Sequence, residues 1–208
     1  IQELLATNGR RDGVLRITVT RDALHPGLDP HPGANPTVLI TTAAHRSTLR
    51  SPCRVVTVGV RRDEQSPLSR IKSVNYLPNI LARFEVKDKE ADEGLLLNTS
   101  GAVAEGTVSN VFWIKGKLLF TPSVDCGVLS GITRSVVMEI AKDVGLLPAE
   151  GTFNPAALME AEAMFLTNSL AEIVVVASLD GHSFGDKAHP AIERLQSAFR
   201  QVVTAETE

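Results

Sequence analysis

Several polar residues of this 208-residue chain stand at the edges of apolar segments, and each can do chemistry. Lys72 lies in SRIKSVNYLPNIL (69–81), a stretch otherwise suited to burial. A lysine in an enclosed site gives up its proton more readily and becomes a nucleophile. Its ordinary alternative is to snorkel, with stem packed and ammonium in water. Glu105 sits in AVAEGTVSN, between strand-like runs. GVLSGITR (127–134) is a glycine-bearing loop that opens a helix, and TNSL (167–170) interrupts two strands. Taken singly, each has a plain explanation. Glu105 can pair with a surface Lys or Arg, and Gly127 and Gly131 can be turn residues. Thr167 and Ser169 can satisfy nearby backbone groups.

Taken together, these residues suit a phosphorylated aldehyde with a pyridine ring. An aldehyde needs an amine, which Lys72 supplies. A ring nitrogen kept protonated as an electron sink needs a carboxylate, which Glu105 supplies. A phosphate needs exposed N–H groups at a helix start, and Ser130-Gly131-Ile132-Thr133 offers them, with a hydroxyl on Thr133. Ser169 can add a second hydroxyl. Tyr76, four residues beyond Lys72, can reach a ring hydroxyl. The loop is neither GxGxxG nor a P-loop, so the weight rests on the combination.

These residues need elements to hold them. IQELLATN (1–8) reads as a short helix, and GVLRITVTR (13–21), TVLITTAA (37–44) and RVVTVGV (54–60) read as strands. Residues 22–36 are rich in proline and glycine and read as a loop. A helix is predicted from Val74 to Ala91, with Leu77, Ile80, Leu81 and Phe84 as its apolar stripe and Pro78 in its first turn. NVFWIKGKLLFTP reads as a hairpin. GITRSVVMEIAKDVG (131–145) reads as a helix stopped by Gly145. Residues 163–181 read as two strands broken at 167–169, and IERLQSAFRQVV (192–203) as an amphipathic helix. Long strands mixed with helices, without a βαβ rhythm, indicate an α+β fold.

Composition narrows the function. A net charge of −3 argues against a general nucleic-acid binder. Arg10-Arg11 and Arg61-Arg62 are short basic pairs and read as solvated surface. Cys53 and Cys126 match no metal spacing and read as buried free thiols of a cytoplasmic protein. His25 and His31, flanked by prolines, do not form a metal site, so no metal is expected. The apolar run IVVVASL is too short to span a bilayer, and no membrane role is expected.

IKSVNYLPNILA, AEGTVSNVFWIKGKLLFTP, GVLSGITR and FLTNSL, in this order, resemble the fold-type IV pyridoxal-phosphate enzymes, the class IV aminotransferase family. The likeness covers about residues 70–181 and continues more weakly back through NGRRDGVLRITVTR. It implies the large lobe of the D-amino-acid aminotransferase-like fold, pyridoxal 5'-phosphate as cofactor, a small amino substrate and a homodimer. It implies Lys72 as the Schiff-base lysine and Glu105 as the carboxylate facing the pyridine nitrogen. By the same resemblance Ile132 and Thr133 bind phosphate through their amides, Asn168 and Ser169 lie in the phosphate-side loop, and Tyr76 takes a ring-contact position.

The family's small N-terminal lobe, with its phosphate-gripping arginine, has no counterpart here, and neither Arg16 nor Arg21 is assigned that role. Residues 1–35 are expected to be a remnant of the inter-lobe region, and 36–208 the cofactor-binding domain. FLTNSL resembles the lyase form of the loop, which implies release of pyruvate from 4-amino-4-deoxychorismate to give 4-aminobenzoate in the folate pathway. Ala171-Glu172 leans toward transamination of branched-chain or D-amino acids. A non-catalytic truncated homologue is the third reading.

Overall fold

The computed structural model describes residues 1–9, 13–21, 28–29, 32–45, 47, 49–185 and 188–207, with side chains through Ala205. His25 and His31 lie outside the described residues. The chain forms two compact units, Ile1–Ser47 and Thr48–Glu208. In the first, helix α1 (Gln2–Thr7) precedes strands β1 (Val14–Thr20) and β2 (Thr37–Ala43), which pair antiparallel from Val14↔Ala43 to Thr20↔Thr37. β2 spends its backbone hydrogen bonds on β1, which groups it with the first unit.

The second unit runs β3 (Cys53–Arg62), a 3-10 turn (Pro67–Arg70), α2 (Leu77–Asp88), β4 (Glu93–Asn98) and β5 (Val103–Gly106). Then come β6 (Asn110–Lys115), β7 (Leu118–Pro122), α3 (Ile132–Ile140), β8 (Leu147–Gly151) and the short α4 (Ala156–Met159). β9 (Ala163–Asn168), β10 (Glu172–Leu179), β11 (His182–Ser183) and α5 (Pro190–Thr207) complete it. Among the described residues the strands form one sheet in the order β5-β4-β3-β10-β9-β6-β7-β8, with β11 beside β10. The fold is α+β. Among the described residues no helix is long and apolar enough to cross a membrane.

The connection from β5 to β6 dictates the sheet's shape. Thr107–Ser109 join an edge strand to one five places away. Five strand spacings in a flat sheet are about 24 Å. The chain from Gly106 to Asn110 reaches about 14 Å at most. The sheet must curl until β5 meets β6, and Gly106 N donates to Ser109 O at 2.6 Å across the turn.

Strand alternation then fills two sides. Val55, Leu95, Leu97, Val103, Val111, Trp113, Met164, Leu166, Val174 and Val176 meet inside the curl as one cluster. The intervening Phe112, Ile114, Phe165, Ile173 and Val175 pack outward against Val137 and Ile140 of α3 and Ile192, Leu195 and Phe199 of α5. Phe112 and Phe165 stand opposite each other on adjacent strands, with ring centroids 5.0 Å apart. Such a pair contributes about 1 kcal/mol beyond its buried area.

Helix α2 differs from its sequence reading in length and in facing. It spans Leu77–Asp88 rather than 74–91, because Tyr76 N bonds Val74 O in a tight turn just before it. Pro78 does sit in its first turn. Its buried face is Ala82 and Val86, packed on Val58 and Leu96. The stripe of Leu77, Ile80, Leu81 and Phe84 is exposed, as are Ile71 and Val74. The segment around Lys72 is thus not enclosed by its own apolar neighbours. Cys53 and Cys126 are free and buried. Burial, followed by the charges of Asp92 and Glu93, pushes the Cys53 thiol up to about 12, which keeps it inert.

Candidate functional site

Glu105 is the penultimate residue of β5, carried to the mouth of the curl just before the Thr107–Ser109 turn. Its Oε1 lies 3.1 Å from Arg62 Nε. Its Oε2 accepts from Leu129 N at 2.9 Å and from Asn110 Nδ2 at 3.4 Å. Burial outweighs these partners and pushes the carboxyl up to about 7, against the pull of Arg62, the Leu129 amide and Lys72, with Glu93 adding to the rise. Lys72 and Glu105 therefore stand within electrostatic reach of each other.

Arg62 is not solvated surface. It ends β3, its Nε also donates to Gly127 O at 2.9 Å, and its Nη2 donates to Ser69 O at 2.8 Å. One guanidinium thus joins the residues leading to Lys72, the loop after β7 and the Glu105 carboxylate. The short basic pair hid this, because its partner is distant in sequence.

Lys72 lies between the 3-10 turn and α2. It is exposed, and its Nζ donates to Tyr76 OH at 2.9 Å. The ammonium stands 5.5 Å from the Tyr76 ring centroid. The turn through Ser73–Tyr76 brings amine and phenol together at i, i+4 spacing before the helix begins.

Helix α3 starts at Gly131, whose backbone is extended and which has no side chain to cap the helix. Ser135 N is bonded back to Gly131 O at 3.0 Å, so the amides of Ile132, Thr133 and Arg134 remain at the open first turn. A Cβ on Gly131 would fall 2.1 Å from Asn110 Oδ1. The loop therefore packs directly on Asn110, whose Nδ2 also donates to Leu129 O at 2.9 Å. The side chain of Arg134 is buried and fixes the helix by donating to Pro122 O and pairing with Glu150 at 2.9 Å. Ser130 and Ile132 are exposed, and Thr133 is buried.

Thr167 stands directly opposite Asn110 in the β6–β9 register, so the two side chains share a face of the sheet. Its Oγ1 is fully buried and has no hydrogen-bond partner among the described residues. Asn168 is occupied with the loop: its Oδ1 accepts from Leu170 N and Ala171 N, and its Nδ2 donates to Val108 O at 3.1 Å. Ser169 is exposed at the tip. Reasoning from sequence picked out Lys72, Tyr76, Glu105 and both loops, but not Arg62, Asn110 or Leu129. Asn110 closes the AVAEGTVSN stretch, and its placement at a strand start beside a buried carboxylate was the available signal.

The amino-transferase class IV model matches residues 1–179. The chain belongs to that family. It is 37% identical over 146 residues to the aminodeoxychorismate lyase of Bacillus subtilis, covering 70% of this chain and 50% of that protein. It is 30% identical over 208 residues to the D-alanine aminotransferase of Bacillus licheniformis, covering 100% of this chain and 73% of that one. The branched-chain amino acid aminotransferase of Thermobaculum terrenum, solved in its PLP form, superimposes with a TM-score of 0.87 at 28% identity, over 97% of this chain and 67% of that one. The class IV chain thus spans half the length of the lyase relative and about 70% of the other two.

Pyridoxal phosphate is the cofactor of this family, and the residues present fit it. The open amides of α3 are donors of the kind an anionic phosphate needs. The Thr167 hydroxyl is a buried polar atom with no partner among the described residues, and a protonated ring nitrogen would offset the burial of the Glu105 carboxyl.

Proposed function

We propose that the class IV chain is a pyridoxal-phosphate lyase that releases pyruvate from 4-amino-4-deoxychorismate and leaves 4-aminobenzoate, a step of the folate pathway. The observation that carries the reading is the TNSL loop. FLTNSL resembles the lyase form of this loop, and Asn168 is committed to the loop and to Val108 O. The identity to the Bacillus subtilis lyase agrees with it.

In this reading Lys72 supplies the amine for the cofactor aldehyde. Tyr76 holds that amine through its hydroxyl and borders the ring. Glu105, steadied by Arg62, Asn110 and the Leu129 amide, receives the ring N–H. The amides of Ile132 and Thr133, with Ser130 and Gly131 shaping the loop, bind the phosphate, and Ser169 adds a hydroxyl. When bound, the cofactor acts as an electron sink for the substrate carbon that bears the amine. Lys72, displaced by the substrate amine, is then free to take the proton from that carbon as general base.

Transamination is the second reading, favoured by Ala171-Glu172 and by the match of the whole chain to a D-alanine aminotransferase. Incubation with 4-amino-4-deoxychorismate, and separately with an amino acid and 2-oxoglutarate, decides between them. Pyruvate and 4-aminobenzoate from the first mixture support the lyase, and glutamate from the second reverses the order. Protein that stays colourless with pyridoxal phosphate and forms neither product is a non-catalytic homologue. We further propose a cytoplasmic homodimer. Ile71, Val74, Leu77, Ile80, Leu81 and Phe84 support an assembled state, because so much exposed apolar surface on one stretch is unusual for a monomer. Light scattering tests the dimer.

A further inference from the structure

A second carboxylate, Glu93, lies behind the first and has no part in the proposed chemistry. It opens β4, and none of it is exposed. A buried carboxylate is costly unless its oxygens are fully occupied. Here they are. Oε1 accepts from Gly94 N at 2.8 Å, from Thr107 N at 3.2 Å and from the Thr107 hydroxyl, and lies 3.4 Å from Arg83 Nη1. Oε2 accepts from Ser109 Oγ at 3.2 Å.

The partners on the turn are Thr107 and Ser109, the first and last residues of the link that closes the sheet. Glu105 stands just before this link and Asn110 just after it. The outward carbonyls of the link are held as well. Asn79 of α2 donates to Thr107 O at 2.7 Å, and Asn168 donates to Val108 O. The packing leaves no slack: a Cβ on Gly106 would fall 2.1 Å from Ser109 Oγ, and one on Gly94 would fall 2.7 Å from Val86 and 3.1 Å from Thr107. Arg83, which also donates to Asp92 O at 2.7 Å, belongs to α2, the helix that follows Lys72 and Tyr76.

We propose that Glu93 is a positioning residue: by clamping Thr107 and Ser109 and anchoring Arg83, it fixes the Glu105 carboxylate relative to the segment that carries Lys72. The claim rests on the proposed function, since it assigns a partner for Glu105. It goes beyond that reading by placing the control of the Glu105 position in a residue that touches neither substrate nor cofactor. A residue that only stabilised the fold would weaken every ligand alike. A residue that aims Glu105 affects the recognition of the ring nitrogen in particular.

The test compares binding of pyridoxal phosphate with binding of its deaza analogue, in which carbon replaces the ring nitrogen. Wild-type protein, Glu105→Gln, Glu93→Ala and Glu93→Gln are measured, with a thermal melt of each. Wild type prefers the nitrogen-bearing ring, and Glu105→Gln abolishes the preference. Glu93→Ala reduces it about tenfold, in the range that follows from misplacing an interacting group by a fraction of an ångström to one ångström. Glu93→Gln restores most of it, because the amide still accepts from Thr107 and can donate to Ser109. If Glu93→Ala does not fold, Thr107→Val and Ser109→Ala remove the two hydroxyl contacts from the turn side and must lower the preference together. Wild-type preference retained in Glu93→Ala, or in both turn variants, overturns the proposal. Wild type that binds neither compound, or binds both equally, overturns instead the proposed function on which it stands.

Discussion

Replacing Glu105 with Gln separates the cost of its burial from the rest of the site. The Glu105 carboxyl is pushed from an ordinary 4.5 up to about 7, chiefly by burial, with Arg62 offsetting only part. Between these values the folded protein keeps a proton that the unfolded chain has released. Stability must therefore fall as pH rises from about 4.5 through about 7. The full difference is about 3 kcal/mol, at about 1.4 kcal/mol for each unit. Most of it lies between pH 5 and pH 8. Glutamine has no proton to lose, so Glu105→Gln lacks this slope. Urea unfolding of the cofactor-free protein at pH 5, 6, 7 and 8 reads the effect as the difference between wild type and variant. The Glu64 carboxyl, held down to about 2 by Ser100 and Thr99, does not interfere. Its contribution is present above 4.5 and is lost only as pH falls through about 2. Parallel pH profiles for wild type and variant would refute the claim that burial dominates the Glu105 environment.

Removing the guanidinium with Arg62→Met leaves Glu105 without its charged partner. Destabilisation of about 2 kcal/mol is expected at pH 8 and less at pH 5, where the carboxyl is already protonated, and denaturant melts at both pH values check it. Gly131→Ala drives a methyl into Asn110 Oδ1, so a cost of about 1–3 kcal/mol and at least tenfold weaker cofactor binding are expected; calorimetry and absorbance titration read the two. Lys72 is exposed, so Lys72→Ala should leave the melt of the cofactor-free protein within about 0.5 kcal/mol of wild type. It should also abolish both the yellow colour with pyridoxal phosphate and borohydride trapping at this position; trapped label in the variant would move the amine elsewhere.

Much of this was legible because local pattern and chemistry coincide. The unbroken apolar runs Val111–Ile114 and Ala163–Leu166 mark strands buried on both faces, and the break at Thr167–Ser169 marks the turn from the second of these into the next strand. Gly131 before an apolar helix marks the open helix start. What was hidden depends on partners remote in sequence. Arg62 looks like half of a surface pair until β5 brings Glu105 against it. The stripe of α2 was read as buried because periodicity reports that a helix has an apolar face, not what covers it. Glu93 carries no signal of its own: its meaning comes from a turn that lies beside it only after the sheet curls. Strand β8, short and containing Pro148, lacks both alternation and β-branched residues and gains its place by pairing parallel to β7.

The tight bridge between Gly106 and Asn110 also restricts how this protein can vary. A hairpin tip such as Lys115–Lys117 can absorb extra residues, since its strands are already neighbours and only the loop grows. The bridge at 107–109 has no such freedom. One more residue there would let β5 and β6 part and shift Glu105, while one fewer would remove a residue that Glu93 or Asn168 holds in place. Chain length at this point is thus tied to the placing of Glu105 in a way that the length of a hairpin tip is not.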